Sequence, residues 1–213
     1  MTSTGLTWDA AAPPDHTPDF QALVGDAAWF DLPAAVRARF TDHRPRIYPG
    51  VMDCRSSALG WLIAQACRLI GMPLAPWRGS AVPVDVRVWQ APDRTLVWDR
   101  AYRFAGRAPI LVTSRKLMER GALLEIARGG LGMRLTARVE GHALVFITDR
   151  YILRLGALLI PIPLWLTPGK AEVIHRDLGG GAFRFSMRFV HPLAGETIFQ
   201  SGDFRDPPEG DPR

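Results

Sequence analysis

The sequence predicts an α+β fold, in which N-terminal short helices precede a curled, mostly antiparallel sheet of about seven to nine strands, barrel-like and wrapped on one capped helix. Three observations carry this. Helical spacing is confined to the first third of the chain. Beyond it, apolar residues alternate instead, as Val82, Val84, Val86 and Val88 do with Asp85, Arg87 and Trp89. The breaks between the alternating runs (APDR, GR, RGG, EG, TPG, LGGG) are too short for helical crossovers, which excludes a parallel βαβ sheet and its dinucleotide site.

Residues 1–16 and 205–213 are polar, Pro-containing and aperiodic, and read as flexible tails around a single domain at 17–204. In TPDFQALVG, Thr17 can cap a short helix, Pro18 suits its first position, and Gly25 stops it. DLPAAVRARF repeats the scheme, with Asp31 as cap and Val36 and Phe40 on one side. The strongest helix is SSALGWLIAQACRLIGMP. Ser56 or Ser57 caps it, Leu59, Leu62, Ile63, Ala66, Leu69 and Ile70 form a stripe expected to lie on the sheet, and Gly71 and Pro73 end it. Strands follow in VPVDVRVW, TLVWDRAYRF, APILVTSRKL, GMRLTARVE, HALVFITDRYILRL, AEVIHRD and AFRFSMRFV.

The net charge of +5 is unevenly spread: residues 1–35 carry five acids and no base, whereas the middle of the chain is strongly basic. Those bases are scattered arginines with no nucleic-acid motif beside them, so no nucleic-acid partner is expected. Cys54 and Cys67 lack C-x-x-C spacing, and no two histidines have the spacing of a metal pair, so neither a metal nor a redox site is indicated. GGLG at 129–132 lacks the third glycine of a phosphate loop, and no cofactor is implied. The N-terminus does not resemble a secretory signal, and no apolar stretch reaches the ~20 residues of a spanning helix. A cytoplasmic protein is the expectation.

Strand parity proposes what the curled sheet encloses. In WDRAYRF, Trp98, Arg100, Tyr102 and Phe104 share a face. An arginine among aromatics is either a clamp for a carboxylate or phosphate, or the partner of an internal acid such as Glu119 or Glu172. Ser114 ends a strand on the inward side and could orient a ligand; no G-x-S-x-G elbow makes it a nucleophile. His175, at the parity of Val173 and Asp177, could be a general base or simply a hydrogen-bonded core residue. Arg100, Glu119 and His175 are thus the catalytic candidates.

RLGALLIPIPLWLTPG, Arg154–Gly169, is the most apolar run. Its prolines exclude a membrane span, and it reads as a wide connection at one end of the sheet, either a plug or a lid bringing Leu158, Ile160, Ile162 and Trp165 to the ligand.

LVGDAAWFDLPAAVRARF, IGMPLA, WDRAYRF with TSRKLMER, PIPLWLTPG and AFRFSMRFVHPLAGETIFQSGDF together resemble the bacterial domain-of-unknown-function family four-one-six-six, from about Phe20 to Phe204. The family's L-P-x-x-V-R falls on Leu32, Pro33, Val36 and Arg37, and its W-x-R-x-F on Trp98 and Arg100, with Tyr102 in place of phenylalanine. Its F-x-S meets Ser114 with Val112 in place of the aromatic. E-R-x-G falls on Glu119, Arg120 and Gly121, and the closing motif on His191, Pro192, Leu193, Gly195 and Gly202. The resemblance implies no established activity. Its members often follow a nicotinamide-binding domain of the saccharopine-dehydrogenase type, which makes an oxidoreductase a possible partner.

Three uses of the cavity follow. The first is a binding module for an apolar or amphipathic small molecule whose polar end meets Arg100, lined by Trp98, Arg100, Tyr102, Ser114, Leu158, Ile160, Ile162 and Trp165. The second is a cofactor-independent isomerase or cyclase in the same chamber, of the natural-product type. The third is an accessory partner of an NAD(P)-dependent oxidoreductase. Peripheral membrane contact through the apolar run, flanked by Arg150, Arg154 and Lys170, ranks below these.

Overall fold

The computed structural model describes residues 15–69 and 74–208. Three short helices, α1 (Phe20–Val24), α2 (Asp26–Asp31) and α3 (Ala34–Thr41), precede strand β1 (Arg46–Ser56) and helix α4 (Ala58–Leu69). Strands β2 (Gly79–Gln90), β3 (Leu96–Tyr102), β4 (Ile110–Glu119), β5 (Ala122–Ala127), β6 (Leu131–Glu140) and β7 (Ala143–Leu155) follow as a meander. Then come β8 (Leu158–Ile162), a 3-10 turn at Leu164–Leu166, β9 (Lys170–Gly179), β10 (Ala182–His191) and β11 (Gly195–Arg205).

Every strand pairing is antiparallel, and β11 returns to β1, so ten strands close a ring in the order β1-β2-β3-β4-β5-β6-β7-β9-β10-β11. Closure leaves no free edge in the ring. β8 stands outside it. β7 is long enough to serve both: Ala143–Ile147 pair with β9, and Tyr151–Leu155 pair with β8. The change of partner follows a register shift at Arg134/Leu135, where β7 carries an extra residue and bends away, as a bulge makes a strand do. Ten ring strands and one outside exceed the seven to nine expected. Those unread were β1, interrupted by Pro49 and Gly50, the six-residue β5, β8, and β11 with its internal Gly202.

The helices close the two ends of the barrel. At one end, Phe20 and Phe40 meet Phe146 with ring centroids 5.7 and 5.8 Å apart, and Arg39 of α3 reaches Asp177 of β9 at 3.0 Å and Asp206 at 2.7 Å. The cap of α1 is Asp19, which accepts from the Ala22 amide at 2.9 Å, rather than Thr17; Asp31 ends α2 rather than capping α3. At the other end, Ala64 and Cys67 of α4 join Leu74, Ala171, Phe189 and Ile198. The sheet is therefore not wrapped on α4. Ser57 caps it, but Leu59, Leu62 and Ala66 of the expected stripe are exposed and the small residues Gly60, Ala64 and Cys67 are buried. Gly60 shows why: a Cβ there would lie 1.9 Å from the Thr197 carbonyl oxygen, so only glycine lets the helix approach β11 this closely. Gly71 and Pro73, expected to end this helix, and Ile70 lie outside the described residues, as do 1–14 and 209–213 of the expected tails. Asp15, His16 and residues 205–208 are described, and the His16 carbonyl accepts from the Met118 amide at 3.0 Å.

Candidate functional site

Alternation along β3, β4 and β5 turns Trp98, Arg100, Tyr102, Val112, Ser114, Lys116, Leu123 and Glu125 toward the barrel axis. Register then decides which of them meet. Lys116 lies directly across from Glu125, and its Nζ is 3.0 Å from Oε2. The Ser114 hydroxyl donates to Glu125 Oε1 at 2.6 Å and accepts from Arg100 Nη1 at 3.2 Å. Arg100 Nη2 stands 3.7 Å from the same carboxylate. The Trp98 ring faces both cations, with Lys116 Nζ 4.5 Å and Arg100 Cζ 5.6 Å from its centroid. Burial opposes the charge on Glu125, but Lys116, Arg100 and the Ser114 hydrogen bond outweigh it and hold the carboxyl down at about 2. Burial, reinforced by Arg100, pulls Lys116 below the ordinary lysine range despite Glu125.

This cluster looks onto an interior cavity of about 60 Å³, lined apart from Tyr102 and His175 by apolar side chains that run from Phe40 and Phe146 at one end to Leu74, Leu131 and Phe189 at the other. A smaller chamber of about 30 Å³ shares Phe40, Trp98, Arg100, His175 and Phe185 with it. A single water needs about 10–15 Å³, so the larger space admits a few waters or the head of a small molecule. Two of its polar atoms are buried without a hydrogen-bond partner among the described residues: Trp98 Nε1 and His175 Nε2. His175 is stacked on Phe183 at 4.5 Å and meets the edge of Phe40 at 5.0 Å; burial, aided by Arg39, pulls it down to about 3. It is a neutral imidazole. Tyr102 donates to Gln200 Oε1 at 3.0 Å.

The structure thus brings together Trp98, Arg100, Tyr102, Ser114 and His175. It places Glu119 elsewhere, with its carboxylate 3.1 Å from Arg154, while Arg100 pairs with Glu125 rather than with Glu119 or Glu172. Leu158, Ile160 and Ile162 lie on the external β8, and Trp165 on the exposed 3-10 turn, so none of the four lines the cavity. Their neighbour Leu159 packs on an external cluster of Leu117, Leu124, Ile126 and Ile152. The apolar run is accordingly an outer flap, neither plug nor lid of the interior. Lys116 and Glu125 were not anticipated. Their signal was present: Lys116 shares parity with Ser114, and Glu125 is the one charged residue of ALLEIA.

Among the described residues, no group of three or more His, Cys, Asp or Glu is placed to hold a metal ion. Both cysteines are free and buried, and burial pushes Cys67 up to about 11.

The sequence model of one family, described as a domain of unknown function (DUF4166), matches residues 32–204. No curated protein matches the chain.

Proposed function

The chain belongs to the DUF4166 family, whose description carries no activity, and from that premise we propose that the barrel binds a small amphipathic molecule whose anionic end meets Arg100 and Lys116. One observation carries the reading: two cations, the buried Lys116 and the largely buried Arg100, share the carboxylate of Glu125 beside an apolar chamber. Among the described residues no second carboxylate pairs with them, and buried charge is stable when paired. A carboxylate or phosphate supplied by a ligand would complete the pairing, and Arg100 offers it a planar donor fork. The unpartnered Trp98 N–H is a further donor on the same wall. The apolar remainder of the lining suits a short hydrocarbon tail.

The test is a thermal-unfolding series with straight-chain carboxylates from propionate to decanoate and the matching alcohols. The acids should raise the midpoint and the alcohols should not, because only an anion relieves the charge excess. Arg100→Gln should abolish the difference. A series in which no acid raises the midpoint of the unmodified protein would remove this reading.

A further inference from the structure

The two ends of the barrel differ in charge and in surface. Among the described residues, the end closed by α4 comprises 57–69, 74–78, 103–109, 128–130, 156–170 and 191–196. Its charged residues are Arg68, Arg78, Arg103, Arg107, Arg128 and Lys170 against Glu196 alone. The opposite end, residues 15–45, 91–95, 120–121, 141–142, 180–181 and 206–208, holds more acids than bases. Of the six cations only Arg103 is ion-paired among the described residues, with Asp85 at 2.6 Å. The others are exposed.

The same basic end carries most of the exposed large apolar side chains. Leu62, Leu158, Trp165 and Leu166 are each 60% exposed and Leu193 is 85% exposed. They come from α4, the β7–β9 connection and the β10–β11 turn, which the fold gathers at one rim; the contact of His191 Nε2 with the Trp165 carbonyl at 3.0 Å joins two of these segments. Between α4 and the segment before β2 lies an open groove of about 460 Å³ lined by Ala58, Trp61, Trp77, Arg78 and Arg107. Arg107 Cζ sits 3.8 Å from the Trp77 ring centroid, and Arg78 Nε donates to Ser56 Oγ at 3.2 Å. Both guanidinium groups therefore stand fixed at the groove with N–H groups left for an anion.

We propose that this end of the barrel docks on bilayers containing anionic phospholipid, with a headgroup phosphate held in the groove by Arg78 and Arg107. Leucines and tryptophans would enter the boundary between headgroups and acyl chains, and the unpaired cations would face the lipid phosphates. Apolar residues spread over three connections and interspersed with unpaired arginines fit an interfacial layer. A single flat apolar patch with a polar rim, as a protein partner would present, is a different pattern. No described helix is long and apolar enough to cross a membrane, and the proposed contact is one with the bilayer surface. This use of the rim is independent of what the barrel interior binds.

The experiment is flotation of the full chain with vesicles of phosphatidylcholine alone and of phosphatidylcholine mixed with phosphatidylglycerol. Binding is expected to the mixed vesicles only, and to weaken with added salt. Arg78→Gln with Arg107→Gln should reduce affinity roughly thirtyfold, from the usual contribution of each basic residue at an anionic surface. Leu166→Ser with Trp165→Ser should also release the protein, and urea midpoints close to that of the parent would show that both variants are folded. Absence of binding to the mixed vesicles, equal binding to both kinds, or an unaffected arginine variant would each overturn the proposal. So would self-association through this end, abolished by Leu166→Ser, without vesicle binding.

Discussion

Lys116 Nζ lies 3.0 Å from Glu125 Oε2, directly across the β4–β5 ladder, and Arg100 approaches the other oxygen of the same carboxylate at 3.7 Å. Among the described residues, Glu125 is therefore the one counter-charge for the buried Lys116 and the largely buried Arg100. Glu125→Gln should destabilise the protein by about 3 kcal/mol or more, the usual cost of leaving buried charge unpaired. Lys116→Met should cost much less, because Arg100 and Ser114 keep their acceptor. Urea unfolding of the two variants at neutral pH checks the order; equal losses would contradict it.

The same carboxylate gives a pH dependence. Its folded value is depressed from 4.5 to about 2, so its contribution is complete above about pH 4.5 and is lost as pH falls toward 2. Glu125→Gln should flatten the stability curve within that window, measured by urea midpoints at successive pH values.

His175 acts in a higher window. Its folded value is pulled from 6.5 to about 3 by burial and by Arg39, so protonation favours the unfolded chain. Stability is unaffected above about pH 6.5 and falls as pH drops from there toward 3. At pH 5 the loss is on the order of 2 kcal/mol, at about 1.4 kcal/mol for each unit below 6.5. His175→Phe, which keeps an aromatic between Phe40 and Phe183, should lose less stability between pH 7 and pH 5 than the parent does. Parallel curves for parent and variant would show that this imidazole does not titrate on unfolding.

What could be read from sequence was parity; what could not was register. Alternation in WDRAYRF and APILVTSRKL correctly turns Trp98, Arg100 and Ser114 inward, because side chains on a strand must alternate. The partner of Arg100 depends instead on how β4 slides against β5, and β5 is six residues long, joined to β4 by a turn that only Gly121 marks. Glu119, three residues beyond Lys116, takes the opposite parity and leaves the cavity to pair with Arg154. Pro49 hid β1, yet that strand sits between β2 and β11 with Pro49 opposite Asp85. The α4 stripe misled for a packing reason. Close approach to β11 selects Gly60, Ala64 and Cys67, and leaves the larger residues at the rim.

Arg39 ties α3 to the barrel wall. Its guanidinium, 5% exposed, donates to Asp206 at 2.7 Å through both Nε and Nη2, reaches Asp177 at 3.0 Å, and lies 4.5 Å from the Phe183 ring centroid. Arg39→Met keeps part of the contact with Phe183 and removes the fork. Because Asp177 and Asp206 remain partly exposed and can be resolvated, the expected loss is about 2 kcal/mol, below that of a fully buried pair. Native-state hydrogen exchange should place the loosening in residues 34–41 before the ring strands open. Uniform loosening of all strands would show that α3 is part of the cooperative barrel instead of a removable plug.

Gly60 tests how the basic end is closed. An added Cβ would meet the Thr197 carbonyl oxygen at 1.9 Å and the carbonyl carbon at 2.6 Å, and neither can move without distorting β11. Gly60→Ala, although alanine favours helix by about 1 kcal/mol, should therefore destabilise by about 1–3 kcal/mol. It should also disturb the bond from the Ser57 amide to the Thr197 carbonyl, 2.8 Å in the structure. Leu62→Ala, on the exposed face of the same helix, should change stability by no more than about 0.5 kcal/mol. Thermal and urea unfolding of the pair gives the comparison. If Gly60→Ala proves stabilising, α4 is held only loosely on β11, and the small-residue packing of Ala64 and Cys67 does not seal the barrel.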